Sequence, residues 1–129
     1  MTPMEVFQRE LHTSGYAYTN IPGSYEACAC DPINGLVYIG IDIPSNEIGI
    51  VGLHELGHAH TMTPVVFFFL FNPIIAYSYE LAAWAWAEER MPIGYEKDFE
   101  KVKEQSLKTY HTDKMLDERN INFALLIRG

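Results

Sequence analysis

Between Ala59 and Ala87 the chain carries one acidic residue, Glu80, and neither Lys nor Arg. A stretch of this character has to be withdrawn from water, in a protein core or in a bilayer. Its most apolar part is Val65, Val66, Phe67, Phe68, Phe69, Leu70 and Phe71. That run is far shorter than the ~20 residues a membrane helix needs. Asn72 and Pro73 interrupt it, and reading on to Ala87 brings in Glu80 and the tyrosines Tyr77 and Tyr79. The expectation is therefore a buried core at residues 65–71, with a membrane span the weaker reading.

The remaining chain is compatible with such a core. At 129 residues it suffices for one domain, 1–129, and its 48% hydrophobic and 20% charged content is that of an ordinary globular protein. The formal charge of −8 argues against nucleic acid as a partner, because phosphate backbones would be repelled. The start of the chain has no basic cluster followed by an apolar run, so a cytoplasmic location is expected. Cys28 and Cys30, two apart on an expected strand, are poorly placed for a disulfide and too few for a cysteine zinc site.

Periodicity and turn formers divide the chain. Residues 3–13 predict a short helix with Met4, Phe7 and Leu11 as its apolar stripe, ended by Gly15. An extended region begins at Tyr16, and residues 20–24 read as a turn around Pro22 and Gly23. Residues 25–30 and 35–43 predict two strands joined by a turn through Asp31, Pro32, Asn34 and Gly35. Ser45 is the expected N-cap of a helix over residues 46–61, with Glu47 in its first turn and Pro64 as its stop. Gly49, Gly52 and Gly57 each cost that helix about 1 kcal/mol, tolerable where another element approaches the backbone closely. A second helix is predicted over residues 75–90. A third starts near Tyr95, with Phe99, Val102 and Ser106 on one face. The tail, residues 113–129, is ambiguous between helix and strand.

The chemistry concentrates in His54, Glu55, Leu56, Gly57 and His58, an H-E-x-x-H pattern. Two histidines four apart lie on one face of a helix, one turn above each other, and can bind one zinc ion together. Zinc lowers the pKa of a bound water, and Glu55 is placed to accept its proton and hand it to a leaving amine. With 5 His in the chain, random order predicts about 0.02 such matches, so coincidence is a poor explanation. The competing reading is a helix that merely carries two surface histidines.

A third ligand must come from elsewhere. Thr61 and Pro64 stand where a third histidine motif would need Gly and His, which excludes that class. Glu80, set among Tyr77, Tyr79, Leu81, Ala83 and Trp84, is costly in such company unless paired or metal-bound. On a helix it shares a face with Ala83, Trp84 and Ala87, whose small alanines permit close helix packing. The alternative is a first-turn acid at the helix start. His60 turns about 200° away from His58 and is expected to face elsewhere, while spacing says nothing of His12 and His111.

His54, Glu55 and His58, followed by Glu80, Leu81, Ala82, Ala83 and Trp84 on a later helix, resemble the gluzincin arrangement. More closely they are similar to the small zincin-like proteins of phages and mobile elements related to the ImmA/IrrE peptidases. The resemblance covers residues 35–90 and implies a compact α+β fold, a small sheet packed on an active-site helix and a glutamate helix. It also implies His54, His58 and Glu80 as zinc ligands and Glu55 as catalytic base. Peptidases of this type tend to have a Tyr or His donor for the oxyanion. Tyr110 and His111 offer both, with Tyr77 and Tyr79 as competitors and an exposed loop as the alternative.

The fold expected is thus α+β, with a small antiparallel or mixed sheet and three or four helices. The expected function is zinc-dependent hydrolysis of a peptide bond in a peptide or protein substrate. Strand 36–43 is a candidate edge for holding that peptide. A non-catalytic zinc protein acting through a partner is the alternative, and a third possibility makes residues 65–71 an oligomerisation or membrane-contact surface.

Overall fold

The structure, a computed structural model, describes residues 1–108. Tyr110, His111 and the tail at 113–129 lie outside the described residues.

Helix α1 (Pro3–Ser14) begins in a capping box: the Glu5 backbone donates to the Thr2 hydroxyl, and the Thr2 backbone donates to the Glu5 carboxylate. It ends at Gly15, where φ is 73°, and turns into strand β1 (Ala17–Ile21). Strands β2 (Ala29–Asp31) and β3 (Leu36–Gly40) follow. The Asp31 carboxylate shapes their connection by accepting from the Ile33 and Asn34 backbones, and Gly35 closes it at φ 65°. The sheet is mixed and ordered β1-β3-β2, with β1 parallel and β2 antiparallel to β3. On β3, Val37 and Ile39 point into the core.

Several expectations are corrected here. Strand β3 is the centre of the sheet, so it offers no edge to a peptide. The predicted strand at 25–30 is a 3-10 turn at Tyr25–Ala27 followed by the short β2. Glu26 folds back to accept from the Ser24 backbone, which closes that turn instead of extending it. Strand β3 stops at Gly40, not Ile43, because the carbonyls of Gly23 and Ser24 cross it there and leave no room for a side chain.

Helix α2 (Ile48–Thr61) is the hub, with every residue from Gly49 to Gly57 buried. It starts two residues later than expected. Glu47 takes the N-cap position, and its backbone donates to the Pro44 carbonyl, so Ser45 is a turn residue instead. The three glycines mark close approaches. Methyl groups at Gly49 and Gly52 would strike the start of α1 and the Phe7 ring, the latter at 2.5 Å. One at Gly57 would stand 2.6 Å from the Ala83 carbonyl oxygen.

Helix α4 (Pro73–Glu89) carries that Ala83 and begins under an Asn72 cap whose side chain accepts from Ile74 and Ile75. Helix α5 (Glu96–Leu107) buries Phe99 and Val102 as its spacing predicts. A further helix raises the number among the described residues to five: α3 (Pro64–Phe69), capped by Thr63. The burial expected of residues 65–71 is not found, since Phe67, Phe68 and Phe71 are 65%, 69% and 80% exposed. Helices α2 and α4 meet directly at Gly57 and Ala83, which leaves no space between them for α3. Among the described residues no helix is long and apolar enough to cross a membrane.

Candidate metal centre

His54 and His58 stand one turn apart on α2 with their ring centroids 4.7 Å apart. Glu80 lies eight residues into α4, opposite them, which rules out the first-turn-acid alternative. Its two oxygens divide between the two histidines: Oε2 is 2.6 Å from His54 Nε2 and Oε1 is 2.9 Å from His58 Nε2. Ligating atoms of His54, Glu55 and His58 also lie within 4.8 Å of one another. The close packing of α2 and α4 at Gly57 is what brings the carboxylate, a helix away in sequence, to both rings.

Burial alone would strip the charge from His54. The hydrogen bonds and negative charges of Glu55 and Glu80 overcome that and hold its pKa up at about 9. Burial likewise works against the Glu80 carboxylate, yet the two imidazoles hold its pKa well below the usual range. Glu55 Oε1 stands 3.4 Å from His54 Nδ1. His58 Nδ1 is buried and makes no hydrogen bond among the described residues.

Surrounding side chains fix the rings. Trp84, one turn after Glu80 and 1% exposed, stacks on His54 at 4.0 Å with the planes 9° apart. Tyr79 packs on His58 at 4.3 Å, and its hydroxyl donates to the His58 carbonyl at 2.6 Å. Burial and the surrounding acidic groups push the Tyr79 pKa up. His60 turns away as expected: its Nε2 meets Ser14 Oγ at 2.8 Å and its ring stacks on Trp86.

The centre opens into a cavity of ≈ 490 Å³. Val51, Trp84 and Val102 supply apolar wall, and Glu26, Glu55 and Glu80 supply carboxylates. Gln105 and Ser106, near the end of α5, form part of its rim. Tyr25 lines it too, with its hydroxyl donating to the buried Glu47, whose other oxygen faces Lys101 Nζ at 3.8 Å. Burial and this carboxylate push the Tyr25 pKa up to about 12. Tyr77 and Tyr79 are not among the residues lining the cavity. Cys28 and Cys30 are free thiols, and Cys28 also lines it. Burial raises both pKa values, that of Cys30 to about 11, so neither is a ready thiolate.

Two imidazoles and a carboxylate are the donor set of His₂Glu zinc sites. Around a tetrahedral zinc with ~2.0 Å bonds, neighbouring ligand atoms stand about 3.3 Å apart. The observed 2.6 and 2.9 Å need to open by roughly half an ångström to admit the ion. A rotation of the Glu80 side chain covers that distance, so the residues fit the metal.

The stack on His54 and the Tyr79 bond to His58 carried no sequence signal beyond the clustering of aromatics around Glu80. The Tyr25–Glu47 pair joins residues 22 apart and had none. Comparison of the chain with known protein families, with curated proteins and with solved structures found no match in any of the three.

Proposed function

We propose that this protein is a zinc-dependent peptidase of zincin-like fold, with His54, His58 and Glu80 as metal ligands and Glu55 as general base. One observation carries the reading: a single carboxylate from α4 faces both Nε2 atoms of the H-E-x-x-H pair, at the wall of a cavity that Glu55 shares. The likeness to phage and mobile-element peptidases of the ImmA/IrrE type belongs to the same proposal.

Zinc bound there would bring the pKa of a coordinated water towards neutrality. The protein's own groups do the rest. Trp84 and Tyr79 hold the two rings in place, which keeps both Nε2 atoms on the Glu80 carboxylate. Glu55 accepts a proton from the attacking water and delivers it to the departing amine. The Val51, Trp84 and Val102 wall receives an apolar substrate side chain and keeps bulk water from the reacting atoms. Tyr110 and His111 follow the rim residues Gln105 and Ser106 in sequence and are the proposed oxyanion donors. A cytoplasmic setting is part of the proposal and accords with two free thiols.

A second reading has an observation of its own. The Glu55 carboxylate stands 3.4 Å from His54 Nδ1, the place of a residue that orients a structural ligand. In that case the zinc is non-catalytic and the protein acts through a partner. Glu55→Gln separates the two when metal content is measured alongside cleavage of a peptide library by mass spectrometry. A general base predicts retained zinc and hydrolysis reduced by about 10²-fold or more. Equal cleavage by wild type and variant would remove Glu55 from the mechanism. A zinc-loaded wild type that cleaves no peptide would leave the structural reading.

A further inference from the structure

We propose that the exposed face of α3 is a self-association surface through which two copies of this chain pair. Phe67, Phe68 and Phe71 stand 65%, 69% and 80% exposed, and Val65 beside them 41%. Phe67 and Phe68 pack edge to face at 5.6 Å, so they form one plate, not scattered side chains. Exposed apolar patches of this size mark contact sites on soluble proteins.

Charge identifies the occupant. Each chain carries −8, so two copies repel over most of their surfaces. From Ala59 to Tyr79 there is no Asp, Glu, Lys or Arg, and α3 lies within that stretch. A two-fold contact places a patch against itself, which an uncharged aromatic plate tolerates and a charged one does not. The face also lacks the Lys and Arg that would draw it to anionic headgroups. At six residues α3 is too short to lie along a membrane as an amphipathic helix.

The area places the contact among small interfaces. The three phenylalanines expose roughly 400 Å² between them, at ~200 Å² for a full side chain. Two copies, with the flanking Thr63, Pro64 and Val65, bury about 1,000–1,200 Å² in total, the lower edge for a specific interface. An interface at that lower edge suits a weak, transient pair. It depends on neither metal nor catalysis.

Sedimentation equilibrium of the full chain between ~1 and ~200 µM tests this. The mass is expected to rise from one chain to two across the range. Phe68→Asp, and separately the uncharged Phe71→Ser, should each weaken the dimer at least tenfold while circular dichroism stays unchanged, both side chains being exposed. Ile93→Asp is the control, at a 95% exposed position beyond the far end of α4, and should leave the dimer intact. A single-chain mass throughout would overturn the proposal, as would a dimer indifferent to both phenylalanine variants. Co-sedimentation of a monomeric wild type with phosphatidylcholine vesicles would overturn it in favour of a membrane.

Discussion

Gly57→Ala tests whether the approach of α2 to α4 is what assembles the centre. In an isolated helix the change is favourable by about 1 kcal/mol. Here the added methyl would meet the Ala83 carbonyl oxygen at 2.6 Å and the Ala83 Cα at 3.2 Å. A carbon and an oxygen in contact sit about 3.3 Å apart, so α4 has to retreat by roughly 0.7 Å. The obstacle is backbone of a packed helix, not the end of a flexible side chain, so the cost lies near the top of the ~1–3 kcal/mol overpacking range. The net expectation is a loss of about 2 kcal/mol. Urea unfolding followed by circular dichroism should show it as a midpoint lowered by about 1 M, for a slope near ~2 kcal/mol/M. The same retreat lengthens the Glu80 contacts to His54 and His58 in the metal-free protein, so the raised His54 pKa, followed by NMR titration, should fall as well. A variant as stable as wild type or more so, with an unchanged His54 titration, would refute the packing argument.

Glu80→Gln keeps the shape of the side chain but removes its charge, and zinc affinity should drop at least about tenfold with helix content unchanged; wild-type affinity in a chelator titration would move the third ligand elsewhere. Metal binding should also release a proton. His54, with a pKa of about 9, carries one at pH 7 in the metal-free protein, whereas Glu80, its pKa depressed, carries none. Zinc must displace the His54 proton, so affinity rises with pH between 7 and 9 by up to about tenfold per unit. Calorimetry in buffers of different ionisation enthalpy reads this release directly, and its absence would contradict the His54 assignment. Without metal the sign reverses. The raised His54 pKa contributes stability that is full below about 6.5 and lost as pH climbs through 9, so the metal-free midpoint should fall over that window.

Much of the centre was legible in the chain because it is written in helical spacing. His54 and His58 are four apart, and Glu80 stood out as the lone acid of an uncharged stretch. Gly57 and Ala83 signalled a close contact without saying that they meet each other. What escaped was set by tertiary choice. Sequence periodicity does not reveal that β1 runs parallel to β3, nor that β3 takes the middle of the sheet. Glu47 read as a first-turn acid, whereas its carboxylate serves Tyr25 across the fold. The phenylalanines of α3 read as core because apolar composition reports a need for burial, not the element that meets it.

The burial of α2 has a consequence for how the domain opens. A helix with no solvent face from Gly49 to Gly57, and with three glycines lowering its own propensity by about 3 kcal/mol in all, does not persist once its neighbours leave. Its amides therefore exchange with solvent through unfolding of the whole domain, not through local fraying. Protection at Leu53, Leu56 and Gly57 should equal the global unfolding free energy, while the exposed ends of α1 and α5 exchange earlier. His54 thus sits on the segment last to loosen, with His58 one residue beyond it.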